Sequence, residues 1–285
     1  MGVGIAFPEQ TRMLQPYPLY LMMFQLFFSF IKIEFAEVFR SIGKNASFLF
    51  ILSLTKLLVV PTLLFFLTEA IWPKYALPVL LLSGISTGVV APFVADLLDA
   101  SMIPVLMMVV VSSLLVPFSL PALVSLLAGR TMEISFLSMV KILAMVIFTP
   151  AVCVIVMRRL MPSFLEKLER VQFPISMVLF ALINIGVFSK YSSFFRENPI
   201  ELAGTLFVAF SLSAVYHVVG FLVAWGRKKE ERLAGAVSFS YLNAILLIAF
   251  ASQFFGPLSS VLAAAYMLPF FVMIVPARLA GNLIK

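Results

Sequence analysis

Lys56 in TKLLVVP, the Ser86-Thr87 pair and Asp96 in GISTGVVAPFVADLLDASMIP, His217 in VYHVVGFL, and Ser238, Ser240 and Asn243 in GAVSFSYLNAILLIAF are polar groups set among apolar neighbours. Hydroxyl, carboxylate and amide oxygens can replace the water around a hard cation. A lone lysine can hold an anion or carry a proton, and a lone histidine can relay one. Asp96 and Asp99 lie three apart on one helical face. Intramembrane aspartyl proteases draw their two aspartates from separate helices, and no Gly-x-Gly-Asp follows here, so an enzyme is not expected. The single Cys153 and single His217 offer no disulfide and no structural metal site, and no cofactor is expected.

The elements that must position these groups follow from composition. The chain is 62% hydrophobic and 12% charged, with a mean hydropathy of +1.12. A soluble domain carries about 25% charge, so the class is a polytopic membrane protein with the lipid bilayer as solvent. The opening MGVGIAFPEQTR has neither the basic run nor the cleavage site of a secretory signal.

Charge-free gaps long enough to cross a bilayer predict nine all-α spans. They are 13–31, 46–68, 75–95, 101–129, 135–157, 171–189 and 202–226, then 233–277 divided by Gly256-Pro257 into two. Orientation follows from Lys and Arg. Arg40, Lys44, Arg158, Arg159, Lys167, Arg170, Arg227, Lys228, Lys229, Arg232, Arg278 and Lys285 fall on one side, twelve of the 20 basic residues. Arg12, Lys74, Arg130, Lys190 and Arg196 fall on the other, while Lys32, Lys56 and Lys141 sit within or at the edge of spans. The predicted N-terminus is outside and the C-terminus cytoplasmic, in a plasma or inner membrane. The net charge of +7 is thereby explained as topology, without nucleic acid as a partner.

The third and eighth spans share an interruption by small and polar residues, and each precedes a long uncharged span carrying prolines: Pro117 and Pro121, then Pro269 and Pro276. An odd offset makes the two run in opposite directions, which is the sequence signature of an inverted-repeat secondary transporter. Broken helix at membrane depth must be buried in protein or line a wet cavity. The competing reading is that Gly and Pro simply aid membrane-helix packing.

These residues carry a resemblance. GIAFPEQTRMLQPYPLYLMMFQLFFSFIKIEF, LAGRTMEISFLSMVKILAMVIFTP, YHVVGFL and LNAILLIAFASQFFGPLSSVLAAAYMLP resemble, in order and spacing, segments of the bile acid:sodium symporter family. The resemblance implies a single transporter domain over 1–285 with two discontinuous helices crossing at their breaks. It also implies a panel from about 13–33 and 134–189 and a core from about 46–128 and 200–282. The chain starts inside the turn after the family's first helix, which implies nine helices where many members have ten.

The resemblance also places the family's sodium ligands, and this sequence departs from most of them. Its Ser-Asn pair falls on Pro92 and Phe93, its hydroxyl ligands near Val105 and Val109, its shared glutamate on Ser238 and a glutamine on Leu242; Asn243 alone is kept. A further glutamine ligand falls on Lys56. Neither sodium site is expected to work in the family's manner.

Lys56 is eleventh of the 23 residues in its span, about 16 Å from either end at 1.5 Å per residue. Its stem cannot snorkel that far, and a charge there costs about 2.5–3.5 kcal/mol or more. It is therefore read as a fixed cation standing where sodium would sit, or as a proton carrier, with Asp96 its nearest plausible counter-ion and Asp99 at the interfacial end of the segment. The alternative is a static lysine–carboxylate pair. Lys141 is close enough to a span end to snorkel. His217 is either a proton relay or a histidine satisfied by a hydroxyl or carbonyl.

The expected function is a secondary transporter of a small organic anion, coupled to H+ or exchange, with Lys56, Ser86, Thr87, Asp96, Ser238, Ser240 and Asn243 as candidate binding residues. Two alternatives stand beside it: Na+-coupled symport with rebuilt ligands, and a receptor or sensor on the same fold.

Overall fold

The computed structural model describes residues 2–31, 33, 35–129 and 135–283, and every regular element among them is helical. Lys32, Arg130 and Lys285, used in the charge balance, lie outside the described residues, as does the side chain of Lys44. Five helices are long and apolar enough to cross a membrane: Ala46–Ile71, Met102–Ala128, Phe136–Leu160, Pro162–Lys190 and Pro199–Val223. Pro257–Val272 and Ile274–Gly281, bent by 43°, together make a sixth candidate. The chain is a multi-pass, all-helical membrane protein.

Three predicted spans take other forms. The expected first span at 13–31 is a helix only from Pro18 to Ile31, 14 residues, because Pro8, Pro16 and Pro18 cut the preceding chain into short turns. The third span divides into Ala76–Gly84 and Ala91–Leu97, and the eighth into Lys229–Ser240 and Ala244–Phe254. The basic stretch between the predicted spans 135–157 and 171–189 is largely helix, since Pro162 restarts the chain two residues after Leu160 and suits a first helical turn.

Pro18–Ile31 packs chiefly on Phe136–Leu160 and Pro162–Lys190. Pro199–Val223 runs along Lys229–Ser240, where Gly220 and Gly235 bring the two backbones into contact. Met102–Leu123 lies against Phe35–Leu54, Lys229–Ser240 and Phe136–Leu160. The two broken helices thus occupy the middle of the bundle, while Phe66, Phe207 and Leu126 face outward toward lipid.

Candidate functional site

The two helix breaks meet. Gly88 N–H donates to Tyr241 O at 2.7 Å and Asn243 N–H donates to Ser86 O at 2.9 Å, a two-bond antiparallel bridge centred on Thr87 and Leu242. Each break exposes backbone groups that have no helical partner at membrane depth, and the other break supplies partners for them. Gly88 is required there: a Cβ would lie 2.7 Å from Leu242 O and 3.1 Å from Tyr241 O. The sequence announces the first break through Gly84, Gly88 and Pro92. The second has no Gly or Pro and turns on Asn243, whose side chain accepts from Leu246 N–H at 3.2 Å as an N-cap.

Side chains bind the crossing further. Thr87 Oγ1 donates to Ser238 O at 2.7 Å, and Thr87 N–H donates to Ser112 Oγ at 3.0 Å. Tyr266 OH donates to Ser240 O at 2.7 Å, and Ser240 Oγ returns to Ala236 O in its own helix at 2.8 Å. The oxygens left over are buried and unpartnered: Ser86 Oγ, Ser113 Oγ, Ser238 Oγ and Tyr241 OH. Such groups carry a penalty of roughly 1–3 kcal/mol each unless something satisfies them. Ser86, Ser238 and Tyr241 lie in or next to the breaks themselves.

Lys56 is 1% exposed and stands over the Phe239 ring with Nζ 5.6 Å from its centroid. It lies in a widened turn, Thr55–Val59, where Val60 N–H bonds Thr55 O five residues back. The cause is in the sequence: Pro61 has no N–H, and its ring crowds the carbonyl four residues earlier. A π-turn of this kind often accompanies a functional position. The pairing expected with Asp96 is not formed. Asp96 is exposed in the last turn of Ala91–Leu97, because Val94 and Ala95 take that helix's buried face. Among the described residues the ion pairs are Lys74–Glu201 and Arg227–Glu231, and Lys56 joins neither.

A cavity of about 100 Å³ opens beside the crossing, lined by Met22, Gln25, Gly88, Phe180, Asn243 and Phe270 among others. The side-chain amides of Gln25 and Asn243 each leave one buried polar atom without a partner. The N-terminus of Ala244–Phe254 borders the same space through Ala244 and Ile245. Gln25 escaped the sequence reading; a single amide within an apolar run was its only signal.

Other candidates are placed elsewhere. Asp99 is exposed with a φ of 54°, and Lys141 is exposed. His217 Nδ1 lies 2.8 Å from Ser213 O, while its Nε2 is buried without a partner beside the Tyr241 ring, centroid to centroid 5.6 Å. Val105 and Val109 are fully buried, and Phe93 is 63% exposed, so these positions bring no oxygen to the crossing.

A family model, Sodium Bile acid symporter family, matches residues 16–198, well over half of the chain. The chain belongs to the sodium bile acid symporter family. The match covers Lys56, the first broken helix and the Gln25 wall of the cavity, and stops before the second broken helix. Members of the sodium bile acid symporter family are transporters, and this one is accordingly of the bile acid symporter kind. No curated protein matches the chain closely enough to count as a relative.

Proposed function

We propose that this protein is a secondary transporter that moves a small organic anion by alternating access, with Lys56 occupying the place of a sodium ligand. The observation that carries the reading is a lysine buried beside the meeting point of two broken helices, joined to no carboxylate among the described residues. A fixed positive charge there suits an anion and makes a second bound cation costly. The amide-lined cavity and the bordering helix N-terminus, which favours negative charge, support the same substrate class. At about 100 Å³ the cavity accommodates a compact solute more readily than a bulky one.

The architecture proposed with it has nine helices in an inverted repeat, a core at 46–128 and 200–282, and a panel at 13–33 and 134–189. Several contacts support the alternation of spans. Lys74 meets Glu201, Ser101 N–H meets Glu230 O, Arg158 meets Ile31 O, and Lys190 meets Ser252 O. Each joins two ends that nine alternating crossings put on the same side. The charge asymmetry favours an outside N-terminus and a cytoplasmic C-terminus in a plasma or inner membrane. No catalytic role and no cofactor enters this reading.

Uptake into proteoliposomes tests it, using a panel of organic anions with a sodium gradient, a proton gradient or neither. Proton-driven or exchange uptake that ignores sodium and is lost in Lys56→Gln is the expected result. Sodium-driven uptake by the wild type would favour the second reading, sodium symport with rebuilt ligands. That reading takes Ser86, Thr87, Asp96, Ser238, Ser240 and Asn243 as candidate ligands, and the unpartnered oxygens of Ser86 and Ser238 support it.

A further inference from the structure

The end of the helix Pro162–Lys190 reaches across to the helices on the far side of the proposed core–panel boundary. Lys190 Nζ donates to Ser252 O at 2.9 Å, and Ser260 Oγ donates to Tyr191 OH at 3.4 Å. Ser252 lies in the last turn of Ala244–Phe254 and Ser260 in the first turn of Pro257–Ala265. The two contacts therefore grip both sides of the Phe255-Gly256 turn. Carbonyls in a helix's last turn have no donor within the helix and carry the negative end of its dipole, so an ammonium is the matched partner for Ser252 O. Both side-chain hydrogen bonds join the panel side to the core side, and both lie at the same end of the molecule.

We propose that Lys190 and Tyr191 form a latch that closes one face of the transporter and opens once in every transport cycle. The proposal rests on the core–panel reading above and adds the residues that hold the two parts together. Lys190 is exposed, so water can reach the bond and replace it when the face opens. A tie present in only one of two states biases the equilibrium between them, and removing it shifts the population toward the state that lacks it. Losing a hydrogen bond to a charged donor at a partly wet site should move that balance about fivefold.

The test uses Val90→Cys, a cavity-lining position outside the proposed ligand set, in a Cys153→Ser background. A membrane-impermeant maleimide is applied to intact cells and to inside-out vesicles. Lys190→Gln is expected to speed labelling about fivefold from the face bearing Lys190 and to slow it from the other. Lys190→Arg should label like the parent, and Arg196→Gln, a nearby charge outside the latch, should change nothing. Labelling that is unmoved in Lys190→Gln, or faster from both faces, overturns the latch. Anion uptake by the same proteins separates the two ideas. Directional labelling without any uptake retains the latch as a conformational tie and rejects the transport reading. Intact uptake with unmoved labelling rejects the latch alone.

Discussion

Lys56 and Thr87 place opposite demands on the crossing. Lys56 brings an amine whose charged form the surrounding apolar side chains do not stabilise, apart from the face of Phe239. Thr87 brings no charge and satisfies backbone left open by the breaks. Thr87→Val keeps the shape and removes the bond to Ser238 O. It is expected to lower stability by about 1–3 kcal/mol, read as a fall in Tm in detergent. Phe239→Leu should cost about 2 kcal/mol by removing the ring beneath the ammonium; in Lys56→Met the same change should cost measurably less, which a double-mutant cycle would report. Lys56, Ser86, Thr87, Ser238, Ser240 and Asn243 were legible because each interrupts an apolar run. Their partners were not: nothing in the sequence distance between Thr87 and Ser238 marks a bond, and Ser112 reads as an ordinary small residue in a membrane helix. The expected Asp96 partner failed for a simpler reason. Three residues of helical phase put its carboxylate on the outer face.

At the scale of elements, helix breaks do the positioning, and they were legible to different degrees. Gly256-Pro257 divided the last long apolar run where the structure divides it, between Phe254 and Pro257. The break at Tyr241–Asn243 carried only polarity as its mark, and the shortness of Pro18–Ile31 was missed because a charge-free gap says nothing of where helix begins. Gly88→Ala tests the crossing as an element: the new Cβ would force the Leu242 carbonyl away and should abolish transport while the long helices remain, visible as unchanged far-UV circular dichroism. Pro61→Ala tests the widened turn. With an N–H restored, an ordinary α-helical ladder can form through Thr55–Val59, rotating Lys56 off Phe239; uptake should fall while thermal stability holds or rises.

At the scale of the whole molecule, the charged side-chain contacts among the described residues lie near the ends of the helices. Lys74 and Glu201 meet at 2.8 Å, tying the entry to the first broken helix to the start of Pro199–Val223. The hydrogen bond to Glu201 raises the Lys74 pKa above its ordinary 10.5. A pKa raised on folding contributes stability that is fully present below the unfolded value and is lost as pH climbs through the folded one. The Tm difference between wild type and Glu201→Gln should therefore be small, constant from about pH 6 to about pH 9, and vanish only above the ordinary lysine range. Contacts of this kind, like that of Lys190 with Ser252, were invisible beforehand because they join residues that no local periodicity relates.

The paired breaks have one further consequence. Interrupted helix is where amide protons ordinarily trade fastest with solvent deuterium. Here the amides of Gly88 and Asn243 are each held by the opposite strand of the bridge, in the interior of the bundle. Their release requires both interruptions to separate together. The two should therefore exchange slowly and at matched rates, and a substitution in either break should quicken the exchange of both.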